Sequence, residues 1–175
     1  YKGDMQGRPL EKPVIPYAMI VLANPIRPEA RETFDYFEKQ GVEIKVISGD
    51  NPVTVSNVAK EAGITNAEKY IDASILGTDE KLDKAAMEYT VFGRVQPEQK
   101  KKLVDALKRH DKVVAMTGDG VNDVLALKSA DCSIAMASGS EAASNASQIV
   151  LLDSDFSCMP SVVLEGRRVV NNIQR

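Results

Sequence analysis

Residues 112–123 read Lys112-Val113-Val114-Ala115-Met116-Thr117-Gly118-Asp119-Gly120-Val121-Asn122-Asp123, and this stretch decides the fold. Its apolar start, Lys112 to Met116, predicts a buried strand. Val124 to Ser129 follows with apolar residues at helical spacing. Between them, Gly118 and Gly120 allow a sharp turn and a close approach by a ligand. Asp119 and Asp123 set two carboxylates within one turn of each other, beside Asn122, where a helix begins. The free N–H groups of a helix start favour an anion. Carboxylates at that point would oppose a bare phosphate unless a divalent cation stood between them, so the loop reads as a magnesium and phosphate site. A plain strand-to-helix turn with an acidic cap does not require three such side chains together.

Outward from this loop the chain repeats one unit. Tyr17 to Ala23 is a strand candidate leading into Asn24-Pro25-Ile26-Arg27-Pro28. Pro28 opens a helix with Ala30, Phe34 and Phe37 on one face and Gly41 as its stop. Val42 to Ile47 predicts a strand that ends in Ser48-Gly49-Asp50-Asn51. Pro52 opens the next helix, with Val55, Val58, Ala59 and Ala62 inward and Gly63 as its stop. Asp79 to Met87 reads as a short helix with a thin apolar face, and Thr90 to Gly93 as a short strand. Pro97 then starts a helix with Leu103, Val104 and Leu107 inward and Lys100, Lys101 and Lys102 near its beginning. Beyond the loop come a strand at Asp131 to Met136, a helix at Glu141 to Ala146, a strand at Gln148 to Leu152, and a helix over Phe156 to Arg175. Strands alternating with helices predict an α/β fold: a Rossmann-like, three-layer parallel sheet with helices on both faces. Ligands of such sheets bind beyond the carboxyl ends of the strands, where the loops after Ile47 and Met116 both lie.

Composition excludes several classes. The 175 residues fit one domain able to bury a sizeable core, and 43% hydrophobic with 27% charged residues is ordinary for a globular chain. A net charge of −3 gives no electrostatic case for nucleic acid. One histidine and two cysteines without metal-ligand spacing argue against a zinc site or a Ser–His or Cys–His pair. Cys132 and Cys158 read as reduced and mostly buried. No apolar run approaches the ~20 residues that span a bilayer.

Three groups therefore converge. Ser48 and Gly49 offer a hydroxyl and backbone N–H groups to phosphoryl oxygens. Lys100 stands in the first turn of a helix, where a cation is unfavourable, so it serves something beyond that helix. Asp119, Asn122 and Asp123 can hold magnesium, which commonly takes one or two carboxylates, with waters and phosphate oxygens completing the shell. A lysine, a hydroxyl and a carboxylate-bound cation are what phosphoryl transfer requires. Asp50 reads as a cap of the Pro52 helix or a brace of its loop, and Lys101 and Lys102 as solvated face.

The residues also carry a resemblance. Asn24 to Ala30 (NPIRPEA), Lys45 to Asn51 (KVISGDN), Phe92 to Lys100 (FGRVQPEQK), Met116 to Met136 (MTGDGVNDVLALKSADCSIAM), Asp153 to Phe156 (DSDF) and Glu165 to Ile173 (EGRRVVNNI) stand in the order found in P-type cation-transporting ATPases. The chain resembles the phosphorylation domain of that family, a branch of the haloacid dehalogenase-like superfamily. The resemblance implies that Ser48, Gly49 and Asp50 contact phosphoryl group and nucleotide, with Arg27 near the nucleotide. It implies that Lys100 binds an aspartyl phosphate, that Asp119 binds magnesium, and that Asn122 and Asp123 support phosphate and cation. It further implies residues 1–13 as the tail of a nucleotide-binding domain, 14–160 as the phosphorylation core, and 161–175 as the start of a stalk helix. The parent would be a membrane pump, using ATP and magnesium to move a cation, calcium among the choices, with this domain on the cytoplasmic side. Actuator, nucleotide-binding and membrane domains of the same chain would be its partners.

Two departures stand out. Asn24 replaces the aspartate usual in the Asp-Pro-x-Arg stretch, and no Asp-Lys-Thr-Gly occurs anywhere in the sequence. In the family that aspartate is the nucleophile and ends the strand between those ending at Ser48 and Thr117. The expectation is a fragment inactive on its own, with two central strand edges unpaired, which would close up, borrow a strand from a second copy, or take a segment not present here. A soluble phosphatase of the same superfamily, or an inactive binding module on its fold, are the alternatives.

Overall fold

The computed structural model describes residues 15, 17, 18 and 25–174. The expected strand at 17–23 falls for the most part outside these residues, as do Asn24 and the tail at 1–13. Among the described residues six strands and seven helices alternate: α1 (Ala30–Lys39), β1 (Val46–Ile47), α2 (Pro52–Glu61), β2 (Tyr70–Asp72), α3 (Asp79–Glu88), β3 (Val91–Gly93), α4 (Pro97–Arg109), β4 (Ala115–Gly118), α5 (Val124–Ser129), β5 (Cys132–Met136), α6 (Glu141–Ala146), β6 (Ile149–Leu151) and α7 (Met159–Ile173). Every ladder is parallel. The strands form two sheets of three, in the orders β1-β3-β2 and β4-β5-β6, and among the described residues no ladder joins β1 to β4.

Side-chain alternation along the strands builds three layers. In β3, Val91 packs with Val55 and Ala59 of α2 and with Ala62 just past its end, while the next residue, Phe92, packs with Leu82 and Ala85 of α3 and Leu103 and Ala106 of α4. In β5, Ile134 packs with Leu151, Met159 and Phe37, whereas Ala135 packs with Ala126 and Leu127 of α5 and Ala143 of α6. Two helices bridge the sheets, one on each face. Leu103 of α4 belongs to the first sheet's core and Val104 to the second's. Likewise Phe34 of α1 packs with the first sheet and Phe37 with the second.

Local chemistry accounts for the element ends. Gly41 and Gly63 take φ of +77° and +85° just past α1 and α2, the left-handed conformation that ends helices. Pro52 and Pro97 begin α2 and α4, where a missing N–H costs nothing. Pro28 instead lies in a turn two residues before α1. The helix expected from Phe156 starts with a 3₁₀ turn, Phe156–Cys158, before α7. Among the described residues no helix is long and apolar enough to cross a membrane.

Four expectations are corrected. Val58 faces solvent at 49% exposure; in its place Ser56 turns inward and donates to Ala67 O at 2.8 Å. Of the two roles read for Asp50, the α2 cap falls to Asn51, whose side chain accepts from Val53 N–H, while Asp50 braces the loop through its carbonyl, which accepts from Arg94 N–H. The buried strand expected at 112–116 starts at Ala115 and runs through Thr117 and Gly118, leaving Val113 89% exposed. Cys158 is exposed and Cys132 half-buried, both free. β2 has no counterpart in the sequence reading.

Candidate functional site

Because all strands run parallel, their exit loops gather on one edge, and each loop is tied to the next. The β1 exit, Ser48 to Asn51, is held by the β3 exit through two backbone bonds: Val95 N–H donates to Ser48 O (3.0 Å) and Arg94 N–H to Asp50 O (2.8 Å). Asp50 N–H also donates to Ser48 Oγ at 3.1 Å, so the hydroxyl closes its own turn. Gly93 permits this closeness, since a Cβ there would stand 2.5 Å from Pro52 N. Gly49 and Asp50 are exposed at the tip.

The β3 exit leads into α4, where Gln99 accepts from Gln96 N–H at 3.0 Å and donates to Ala73 O at 2.9 Å. The next residue, Lys100, brings Nζ to 2.6 Å from Asp123 Oδ1, with little of either side chain exposed. This pair joins the first sheet's loops to the second's. It also accounts for a lysine at a helix start: its counter-charge comes from another loop. Lys101 and Lys102 pair instead with Asp105 and Asp79 at the surface.

In the Thr117–Asp123 loop, Asp123 is buried and Asp119 and Asn122 are exposed. Asp123 Oδ2 accepts from Gly120 N–H at 3.2 Å. A Cβ on Gly118 would lie 2.6 Å from Asp123 Cβ. The glycine is therefore needed for close approach, and what approaches is the protein's own carboxylate. The two acids expected to share a cation are thus unlike. Asp123 spends both oxygens on Lys100 and the turn, whereas the Asp119 carboxylate has no hydrogen bond or ion pair among the described residues. No group of three or more acidic, histidine or cysteine side chains that could hold a metal ion occurs among them. That sparse donor set still fits magnesium, which needs only one or two carboxylates when phosphoryl oxygens and water supply the rest.

Two further exits complete the edge. Ser140 N–H donates to Asp119 O at 2.7 Å, and Ser138 N–H to Ser154 Oγ at 2.8 Å. Arg27, exposed before α1, reaches Asp155 at 3.5 Å. The Asp155 carboxyl is held below its ordinary range, first by N–H and hydroxyl bonds from Ser157 and then by Arg27. Arg27, Thr33, Asp119, Ser138 and Asp155 line a cavity of about 330 Å³ beside the loop. The sequence reading missed Gly139, Ser140 and Gln99, and no pattern in the sequence marked them. Asp155 lies in the DSDF stretch, where the sequence marks no role for it.

A model of the haloacid dehalogenase-like hydrolases matches residues 6–131. The chain is 52% identical over 156 residues to a probable cation-transporting ATPase of Streptococcus pneumoniae, covering 89% of this chain and 20% of that protein. It is 53% identical over 163 residues to the calcium-transporting ATPase CtpE of Mycobacterium tuberculosis, covering 93% and 20%. It thus spans about a fifth of the length of these curated relatives. Among solved structures, a zinc-transporting PIB-type ATPase superposes with a TM-score of 0.67 at 25% identity, over 86% of this chain and 21% of that one.

Proposed function

The chain belongs to the haloacid dehalogenase-like hydrolases, and from that premise we propose that it is the phosphorylation domain of a P-type ATPase that moves a cation across a membrane through an aspartyl phosphate. The observation that carries this reading is the break in the sheet. Among the described residues β1 and β4 each keep one unpaired edge, and the loops that leave them carry Ser48 on one side and Asp119 and Asp123 on the other. A strand inserted between the two would complete the parallel sheet and bring an aspartate at its carboxyl end among those residues. That strand belongs to the longer protein, since Asp-Lys-Thr-Gly is absent from the sequence here.

Each residue then has a task. Ser48 and the Gly49 N–H orient phosphoryl oxygens, and Asp50 and Arg27 face the nucleotide. Lys100 neutralises phosphoryl charge, held for that purpose by Asp123; the expected metal role of Asp123 becomes one of positioning. Asp119, whose carboxylate has no partner among the described residues, would hold the magnesium ion, and Asn122 would support the phosphate. Magnesium, when bound, supplies charge neutralisation at the phosphoryl oxygens. Phosphoryl transfer depends mostly on such positioning and electrostatics.

Calcium is the cation we favour, because CtpE, 53% identical to this chain, is a calcium-transporting ATPase. Actuator, nucleotide-binding and membrane portions would lie elsewhere in the parent, with this domain at the cytoplasmic face. The test uses the longer protein with ATP and magnesium. Phosphate incorporation that is stable in acid and labile to hydroxylamine is expected, lost in Asp119→Asn, while the 175-residue chain alone hydrolyses no ATP. Hydrolysis by the chain alone that Asp119→Ala abolishes would overturn the reading.

A further inference from the structure

The Asp119 carboxylate is free of partners among the described residues, so its position is set by its backbone, and that backbone is gripped by a segment with no assigned role. The β5 exit, Ala137 to Ser140, is pinned at both ends. Before the contact, Ala137 N–H donates to Leu151 O at 3.0 Å and Ser138 N–H to Ser154 Oγ. After it, Ser140 Oγ accepts from Ala143 N–H at 3.1 Å and caps α6. Between these anchors Ser140 N–H donates to Asp119 O at 2.7 Å, and Gly139 N–H to Met136 O at 2.9 Å. Gly139 lies flat against the aspartate: a Cβ there would fall 2.5 Å from Asp119 O and 2.9 Å from both its Cα and Cβ. Backbone atoms cannot swing aside as the end of a long side chain can, so any larger residue at 139 must displace Asp119 itself.

We propose that Gly139 and the Ser140 N–H are positioning residues for the cation site: they fix where Asp119 presents its carboxylate. The proposal rests on the reading of Asp119 as the magnesium ligand. It adds a restraint that comes from the neighbouring strand's loop and not from the Thr117–Asp123 loop. The β5 exit is anchored to β6 and α6 and touches Asp119 only through its backbone. Its contribution is therefore geometric, and it works with no charge of its own. Residues that orient a metal ligand commonly cost about 10–100-fold in metal affinity when altered.

The test is a magnesium titration of the chain, followed by the backbone amide resonances of residues 117–123, with four variants. Asp119→Asn should abolish the shifts. Gly139→Ala should weaken magnesium about tenfold or more and displace the Asp119 and Gly120 resonances before any metal is added, leaving Phe92 and Leu127 unmoved. Ser140→Ala, which loses the α6 cap but keeps the N–H, should hold affinity within about twofold. Ser140→Pro, which loses both at a residue whose φ of −74° suits proline, should match Gly139→Ala. The two serine variants decide the matter if Gly139→Ala does not fold. Equal affinity in Gly139→Ala or Ser140→Pro and the unaltered chain, with binding still dependent on Asp119, would overturn the positioning role alone. Magnesium binding that Asp119→Asn leaves intact would overturn the reading of the site and the inference with it.

Discussion

β3 and β4 are both short parallel strands that end at a loop of the site, yet they live in different surroundings. β3 has a neighbour on each edge, and Val91, Phe92 and Gly93 are all buried. Among the described residues β4 pairs only with β5, and Ala115 and Thr117 are exposed where the corresponding β3 residues are not. Parallel strands are normally covered on both faces and paired on both sides. Among the described residues, then, the two halves are joined by side chains and bridging helices, with no ladder between their sheets. α1 and α4 span the break, and Lys100–Asp123 ties the loops across it.

The largest effect should come from the filled side. Phe92→Ala empties a site 1% exposed and should cost about 3–5 kcal/mol in urea unfolding. Lys100→Ala leaves Asp123 buried without its counter-charge. It should cost roughly 3 kcal/mol, at the low end for a broken buried pair because both groups keep some exposure. Gly93→Ala forces a methyl against Pro52 and should cost about 1–3 kcal/mol by overpacking. Val113→Thr, at the exposed approach to β4, should stay within about 0.5 kcal/mol, and a larger loss would mean that this approach is covered after all.

Acid should loosen both halves. The Asp83 carboxyl is held below its ordinary value by hydrogen bonds from Arg109 and then His110, which fasten α3 to α4. The Asp131 carboxyl is lowered by the Val114 N–H and then Lys108, fastening the approach to β4. A depressed carboxyl contributes stability that is complete above its unfolded pKa of about 3.9 and is lost as pH falls through the lower folded value. Urea midpoints recorded from pH 5 downward should fall below about pH 4, and the fall should be shallower in Asp131→Asn.

Much of this was legible before the fold was known. Pro52, Pro97, Gly41 and Gly63 mark helix ends by local chemistry alone, and Lys100 was singled out because a helix start disfavours a cation. Other features depend on what packs from afar. β2 has an exposed Tyr70 and is a strand only through its pairing with β3. Val113 is apolar enough for a core yet lies beyond the ladder. Ser56 displaces Val58 inward because Ala67 O, eleven residues away, accepts its hydroxyl. Gly139 could not be read at all, since its importance lies in contact with Asp119, twenty residues earlier.

Amide hydrogen exchange at residues 46–48 and 115–118 tests the central claim most directly, compared between this chain and the longer protein that supplies a strand ending in Asp-Lys-Thr-Gly. The amides of these strands that point away from β3 and β5, Ile47 among them, should exchange quickly in the chain alone. They should slow together in the longer protein, as a strand pairs with the two open edges at once. Exchange that is equally slow in both proteins, or that slows at only one of the two strands, would contradict it.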